Sequence, residues 1–344
     1  MVGIFSNRFL SCLVKLLKLG GSVMISIVVP IRNVEKSLTK CLQSIKGQTY
    51  HQLQVILIDI GSIDKSGEIC EKFAKNDSRF TVIHIPNSNL SVAKNIGLSH
   101  AQGEHICFIN AVDWIDAEML ERLITTDKLY NADMVTCRYY EDTISELYLV
   151  PGPDETKMVS KNEAIQLCLA QTRTHGFLCN KLFKLDLFNS YPTIRFDEKI
   201  GYYEDLLVVI QCFFKSQTII YSPPPHYHYY LSRHLPISVL QNKAKLTGLT
   251  ALEQAIDLLV QDPTIDTRIL KDYYIRLTLS SLFLLVSLEN VTSPLIIELK
   301  QNLYRYGLYE HKDKDLRKCH LITRKNVGLG KIYWDMFYKK KLAE

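Results

Sequence analysis

Polar and charged side chains stand where short apolar segments end, and their types suit a phosphorylated ligand. Pro30, Arg32 and Glu35 lie at the end of the segment ISIVVP, and Asp59 ends the segment QVILIDI. Backbone groups and a carboxylate at such positions can bind a base or a ribose, and basic groups can face phosphates. Asp59 and Asp64 also precede the helix-forming run KSGEI, where Asp is favoured as a cap, so a purely structural role stays open for both.

The elements that must position these side chains alternate between strand and helix from residue 25 to residue 126. Short apolar, β-branched runs predict buried strands in ISIVVP, QVILIDI, TVIHI and HICFIN. Segments with apolar residues at helical spacing separate them, which is typical of a doubly wound α/β sheet with ligands at the carboxyl ends of its strands. Beyond this region, VTCRYY predicts a strand, residues 161–171 predict a helix, and the prolines at 223–225 predict a break before YHYYLSR.

Length and composition predict one large domain with an extension. The 344 residues are 47% hydrophobic and 22% charged, and we place a soft boundary near residue 240. Residues 1–23 are expected to be an amphipathic extension or a misassigned start, 24–240 the main domain, and 241–344 a mostly helical region. The excess of five positive charges is too small to indicate a nucleic acid as partner.

Cysteine usage and hydropathy bear on localisation. The nine cysteines form no CxxC pair, which indicates reduced, mostly buried thiols in a cytoplasmic protein. No apolar run is long enough to span a membrane. Two segments with cations beside apolar residues leave peripheral contact with the inner membrane face open, namely RFLSCLVKLLKLGG and KIYWDMFYKKK. The competing interpretations are a true start at Met24 and a C-terminal helix packed on the main domain.

Several motifs between residues 25 and 235 resemble family 2 glycosyltransferases. VVPIRN resembles the family's VVPxYN start, IDIGSID its D-D-G-S-x-D turn, LSVAKN its L-S-x-A-R-N, and INAVDW the end of its D-x-D-D-W strand; EDLL and a Tyr-x-Tyr segment follow in order. The resemblance implies the GT-A fold, an α/β doubly wound mixed sheet, here with a helical C-terminal extension. The positions implied to bind a nucleotide-diphosphate sugar are Pro30, Arg32, Glu35, Asp59, Gly61, Ser62, Lys94, Asn110 and Arg233.

Two departures from the family pattern affect the expected metal. The family holds Mn²⁺ or Mg²⁺ against the diphosphate with carboxylates, and such hard cations need oxygen ligands. Ile60 and Val112 stand where the family has acidic residues, so a divalent metal is doubtful. Asp113 can be a displaced metal ligand or a structural acid beside Trp114. Without a metal, a Lys or Arg can take over part of its electrostatic role.

The resemblance also implies the reaction. GYYEDLLVV resembles the family's Glu-Asp motif, so Asp205 is the candidate base and Glu204 its neighbour, although an acidic pair also suits a helix start. The expected function is transfer, with inversion, of a sugar from a nucleotide-diphosphate donor, UDP-linked in the first instance. The acceptor would be a cell-surface polysaccharide, a glycolipid that can be lipid-linked at the membrane, or a glycoprotein glycan. The alternative is an inactive homologue that binds a partner or a glycan. No GxGxxG or GxxxxGK[ST] fingerprint favours an unrelated nucleotide-binding enzyme.

Overall fold

The computed structural model describes residues 23–86, 88–143, 146–169, 178–231, 239–288, 293–307 and 309–338. The predicted extension before residue 23 and the candidate donor ligand Arg233 lie outside these residues. The domain boundary near residue 240 stays a prediction.

The first part of the chain forms the predicted alternation of strand and helix. Its strands are β1 (Ile25–Ile31), β2 (Leu53–Asp59), β3 (Phe80–His84), β4 (His105–Phe108) and the short β5 (Trp114–Ile115). The helices are α1 (Glu35–Lys46), α2 (Ser66–Asn76), α3 (Leu90–His100) and α4 (Met119–Tyr130). Strands β1 to β4 are the four predicted strands, and β1 pairs in parallel with both β2 and β4. Their carboxyl ends therefore lie at one edge of the sheet, as expected from the sequence.

The middle of the chain completes the sheet and makes it mixed. Its strands are β6 (Met134–Asp142), β7 (Leu147–Leu149), β8 (Lys157–Val159), β9 (Lys181–Lys184) and β10 (Ile219–Tyr230). Its helices are α5 (Lys161–Leu169), α6 (Asp186–Asn189) and α7 (Glu204–Lys215). The strand order is β3-β2-β1-β4-β9-β6-β10-β5, with β7 paired to β6 and β8 to β10. Strand β9 is antiparallel to both of its neighbours, whereas β10 is parallel to β6.

The break predicted at the prolines 223–225 is wrong. Strand β10 runs through them, and its register against β6 shifts between Ser222 and Pro225 and again between Pro225 and Tyr227. Proline lacks an N–H donor, so a strand tolerates it at such irregularities. The strand therefore continues and carries the Tyr-x-Tyr segment back to the edge of the sheet where β5 lies.

The C-terminal part is helical, as predicted. It comprises α8 (Val239–Leu259), α9 (Arg268–Leu288), α10 (Pro294–Asn302), α11 (Lys314–Lys325) and α12 (Val327–Tyr333), which continues as a π-helical turn over Trp334–Tyr338. No helix among the described residues has the length and apolarity needed to cross a membrane. Leu252 and Leu279 in α8 and α9 belong to the same buried cluster as Val28 of β1, so these helices share a core with the sheet.

The two faces of the sheet have separate cores because side chains alternate along a strand. Val28 faces the cluster that includes α7 and the C-terminal helices. Its neighbours Ile27 and Val29 face the opposite cluster, which contains Leu38 and Leu42 of α1. Helices on both faces fix β1 and β4 in the middle of the molecule, which gives the strand ends a rigid support.

Candidate active site

A cleft of about 770 Å³ opens at the carboxyl ends of β1 and β4. Side chains from the start of α3 and of α7 complete its walls. Six of the residues predicted from the sequence line this cleft: Pro30, Arg32, Lys94, Asn110, Glu204 and Asp205. The fold therefore brings together groups that are up to 175 residues apart in the sequence, from Pro30 to Asp205.

Lys94 joins the two acidic residues of the cleft. The side chain of Lys94 is only 4% exposed, and its Nζ donates to Glu204 Oε1 over 3.1 Å and to Asp205 Oδ1. Glu204 and Asp205 open α7, whose N-terminus favours negative charge. Lys94, which the resemblance implies as a donor-binding residue, thus pairs with two carboxylates in this structure.

Asp205 and Lys94 both have a raised pKa, for different reasons. Burial raises the pKa of the Asp205 carboxyl to about 6, a rise that Lys94 opposes and Glu204 reinforces. Burial by itself lowers the pKa of Lys94, but the attraction of Asp205 and Glu204 outweighs it and the pKa lies above its ordinary value. Lys94 therefore stays charged at neutral pH, while Asp205 is ionised yet remains a stronger base than an exposed aspartate.

Lys181 is a second cation behind Asp205 that the sequence analysis did not single out. It opens β9, is 2% exposed, and its Nζ donates to Asn180 Oδ1 over 2.7 Å. Its charge is one of the factors that lower the pKa of Asp205. The sequence does contain a sign of this residue, because Lys181 begins the apolar run KLF. A lysine buried with such a run is rare unless it has a partner.

Asp59 is held by a histidine that the sequence analysis also missed. Its side chain ends β2, where Oδ1 accepts from the backbone N–H of Ser62 over 3.0 Å and Oδ2 lies 2.9 Å from His84 Nδ1. His84 Nε2 lies 2.9 Å from Glu71 Oε1, and the hydrogen bonds to Glu71 and Asp59 raise the pKa of His84. Asp59 is not among the described residues that line the cleft.

The loops after β1 and β2 are cross-linked through side chains. Asn33 has a left-handed φ of 52°, its N–H donates to Ser62 Oγ, and its Oδ1 accepts from the N–H of Ile63. Glu35 donates its N–H to Asp64 Oδ2 over 3.0 Å. The candidate donor ligands Glu35 and Ser62, and the neighbouring Gly61 with φ 82°, thus shape the rim beside the cleft rather than line it.

Asp64 bonds to the start of α2, although the N-cap residue of that helix is Lys65. Its Oδ1 accepts from the N–H of Ser66, the first residue of α2, over 3.0 Å. An acceptor at this position satisfies a backbone donor that a helix leaves unpaired at its start. This contact favours the structural role for Asp64.

The segment after β4 contains the residues considered for a metal. Asp113 is fully buried, and its carboxylate accepts from Asn110 Nδ2 over 2.9 Å, from the Tyr227 hydroxyl over 2.5 Å, and from the N–H of Tyr230 over 2.9 Å. Burial raises its pKa to about 6. These contacts favour the structural role of Asp113, because its oxygens are already engaged in linking this segment to β10.

The donor set next to Val112 does not fit a hard divalent cation. Valine has no oxygen, Asn110 offers one uncharged amide, and Asp113 points into the core contacts with β10. Among the described residues, no group of three or more His, Cys, Asp or Glu side chains is arranged to hold a metal ion. Such cations require several oxygen ligands at short range.

Aromatic residues close the side of the cleft near β10. Tyr229 lines the cleft, while the next residue back, His228, stacks between Trp114 and Tyr140 with ring centroids 5.3 and 5.0 Å away. Nε2 of His228 also lies 3.1 Å from Asp116 Oδ1. These contacts give His228 a structural role at the junction of β5, β6 and β10.

The cleft thus combines strand ends from the centre of a mixed sheet with an acidic pair at the start of α7 and a buried lysine of α3. Residues 26–191 match the model of glycosyl transferase family 2, so this part of the chain belongs to that family. The uncharacterized glycosyltransferase EpsJ of Bacillus subtilis is 32% identical over 199 residues, which cover 57% of this chain and 58% of EpsJ. Glycosyltransferase GlyA of Streptococcus pneumoniae is 32% identical over 244 residues, 68% of this chain and 34% of GlyA.

Among solved structures, residues 1–349 of S. aureus TarS in complex with UDP-GlcNAc have the same fold. The TM-score is 0.67 at 17% identity, and the match covers 92% of each chain. This likeness confirms the predicted GT-A fold. The chain spans just over half of the length of EpsJ and about one third of GlyA.

Proposed function

We propose that this chain transfers a sugar from a nucleoside-diphosphate donor to a glycan, glycolipid or glycoprotein acceptor, with inversion at the anomeric carbon. The observation that carries the proposal is the Asp205 carboxylate, which lines the cleft with a pKa of about 6 beside Lys94 and Glu204. A base with a pKa just below neutral is ionised at pH 7 and still accepts a proton readily. The donor site stays a proposal built on the family and on the position of the cleft.

The proposed reaction is a single displacement at the anomeric carbon of the donor sugar. Asp205 takes the proton of an acceptor hydroxyl, and that oxygen forms a bond to the anomeric carbon of the donor. The bond from this carbon to the diphosphate oxygen breaks, and the nucleoside diphosphate leaves with the electron pair. Attack opposite the leaving group inverts the anomeric centre. Glu204 keeps Lys94 between the two carboxylates and is proposed to orient the acceptor.

The donor half of the proposal rests on the other end of the cleft. Pro30 and Asn110 bring strand-end groups to it, and Arg32 brings an exposed guanidinium that can face phosphates. TarS was solved with UDP-GlcNAc and, in a second structure, with UDP. Both complexes support UDP-sugars as the first donors to test. The position of Arg32 in the cleft makes it the cation proposed to meet the diphosphate.

We also propose that the reaction proceeds without a divalent metal held by the segment after β4. This follows from the donor set of Asn110, Val112 and Asp113 described above. The leaving diphosphate would then depend on basic side chains for its stabilisation. UDP should raise the melting temperature of the protein equally with Mn²⁺ and with EDTA. Stabilisation that appears only with Mn²⁺ would refute this part of the proposal.

The place of action is proposed to be inside the cell, at the inner face of the membrane when the acceptor is lipid-linked. All eight cysteines among the described residues are free and buried. Burial raises the pKa of thiols such as Cys41 and Cys212, which keeps them protonated. Such thiols fit a reducing compartment.

The decisive experiment compares Asp205→Asn with a matched control. The amide keeps the size of the side chain but cannot take the proton, so we expect kcat for sugar transfer to fall by about 10²- to 10⁴-fold. Glu163→Gln is the control, because Glu163 also lies in the first turn of a helix and pairs with a lysine, Lys157, outside the cleft. It should leave kcat unchanged.

The alternative function, an inactive homologue, predicts that even the unchanged protein transfers no sugar. A chain that only binds a partner would show no transfer with any UDP-, GDP- or CDP-sugar and no thermal response to the nucleotides. An active chain in which Asp205→Asn keeps full kcat would instead show that the base lies elsewhere. The Asp205 carboxylate in the cleft, with its pKa raised to about 6, is the observation that favours the transferase.

A further inference from the structure

The last helix presents large apolar side chains to solvent. Leu329, Ile332, Met336 and Phe337 are each between 56% and 58% exposed. Leu329, Ile332 and Met336 are spaced three and four residues apart and Phe337 follows Met336, which places all four toward one side of α12 and its π-helical turn. We call these four residues the C-terminal apolar face. Single exposed apolar residues are common on proteins, but four within nine positions are unusual.

The opposite side of the same helix is anchored, which fixes the direction of the apolar face. Gly330, Trp334 and Tyr338 are buried there. The Trp334 ring lies 5.6 Å from that of Phe283 in α9. A Cβ on Gly330 would come within 2.0 Å of Thr323 Oγ1, so the helix packs closely on α11. The exposed residues are therefore held outward by a packed helix.

A row of cations lies on α11, the helix on which α12 packs. Helix α11 carries an exposed row of cations at helical spacing: Lys314, Arg317, Lys318 and Lys325. None of these four forms an ion pair within the part of the chain that the structure describes. The Tyr333 ring lies 5.1 Å from that of Phe337. Burial raises the pKa of Tyr333, and the nearby carboxylate of Asp315 in the first turn of α11 raises it further. The basic row thus begins beside the apolar face.

The sequence concentrates charge in the same region. Residues 314–344 contain nine Lys and Arg residues against three Asp and Glu residues, a net charge of +6. The whole chain has a net charge of +5, so residues 1–313 together carry −1. A positive region around exposed apolar side chains is complementary to an anionic, partly apolar surface.

We propose that the C-terminal apolar face and the basic row of α11 dock on an anionic lipid bilayer. Leu329, Ile332 and Phe337 would enter the region between headgroups and acyl chains, and the cations would meet lipid phosphates. The charge pattern selects a lipid surface over a second copy of this chain, because two such faces would bring the same positive charges together. The proposal concerns a surface outside the cleft and does not require the proposed transferase activity.

The test is sedimentation of the full chain with vesicles of phosphatidylcholine, with and without phosphatidylglycerol. We expect binding to the anionic vesicles only, weakened by salt. The double variant M336Q/F337Q should reduce the partition coefficient by about tenfold or more, since it replaces two apolar side chains by polar ones. Lys318→Glu should reduce it by about fivefold or more, because each cation near an anionic surface adds to binding.

Met158→Gln is the matched control, because Met158 is 59% exposed in β8 and lies outside this surface. It should bind vesicles as the unchanged protein does. Equal melting temperatures would show that all variants fold. Absence of binding to anionic vesicles, or equal binding by M336Q/F337Q, would overturn the proposal. So would a dimer in sedimentation velocity that M336Q/F337Q dissociates, since a second copy would then cover the face.

Discussion

Replacement of Lys94 by methionine tests how the acidic pair is tuned. Lys94→Met keeps the length and burial of the side chain but removes the charge between Glu204 and Asp205. Lys94 lowers the pKa of Asp205, whereas burial and Glu204 raise it. Without the lysine only the raising effects and the weaker attraction of Lys181 remain. The pKa of Asp205 must therefore move upward from about 6.

The direct contact between Lys94 and Asp205 sets the size of the expected pKa shift. An opposite charge in direct contact changes a carboxyl pKa by about one to three pH units. Taking two, the pKa of Asp205 in the variant lies at about 8, and the ionised fraction at pH 7 falls from about 0.9 to about 0.1. Transfer at pH 7 should fall about tenfold and should return near pH 9, because the base is then ionised again.

The assay is the pH profile of kcat/KM for sugar transfer, with the melting temperature measured in parallel. The acidic limb should lie near pH 6 in the unchanged protein and about two pH units higher in Lys94→Met. Lys94→Arg should restore the original limb, because it restores the charge. If Lys94→Met keeps the limb in place and raises only the KM for the donor, Lys94 acts on the diphosphate and the reasoning is refuted.

Two further predictions concern stability. Burial lowers the pKa of His320 to about 4. Between pH 6.5 and pH 4 the unfolded chain therefore binds a proton at this residue that the folded chain does not bind. The free energy of unfolding should fall by about 3 kcal/mol as the pH falls through this range. Denaturant titrations at pH 7 and pH 4.5 should show this loss, and a loss of the same size in His320→Asn would assign it to other groups. In Gly97→Ala a Cβ would come within 2.3 Å of Val28 Cγ1 between α3 and β1, so we expect a loss of about 1–2 kcal/mol. Gly201→Ala, whose Cβ has ordinary contacts, is the control, and equal unfolding midpoints for the two variants would contradict the packing argument.

The sequence predicted the parallel half of the sheet because its strands are continuous apolar runs. β1, β2, β3 and β4 lie where ISIVVP, QVILIDI, TVIHI and HICFIN stand. Local pattern failed at the prolines of β10, since a strand with an irregular register tolerates residues that interrupt a regular one. The antiparallel placement of β9 between β4 and β6 is a tertiary property that no local pattern carries.

For the site, motif order predicted which residues meet but not what they contact. Lys94 and Asp205 were both candidates, yet their ion pair joins α3 to α7 across 111 positions and required the fold. His84 and Lys181 were missed because their partners, Asp59 and Asn180, give no periodic signal in the sequence. A single polar residue within an apolar strand is informative only once its neighbours are known.

The engagement of Lys94 determines which charge remains for the donor. Arg32 and Lys94 are the two cations among the described residues that line the cleft. Lys94 is bound to Glu204 and Asp205, whereas the guanidinium of Arg32 has only a long hydrogen bond of 3.4 Å to the carbonyl of Ser88. A planar, permanently charged group with weak partners can turn toward a diphosphate at little energetic cost. On the proposed mechanism the two electrostatic tasks fall to different residues: we expect Lys94 to tune the base, and Arg32 is the described cleft residue left to stabilise the leaving group.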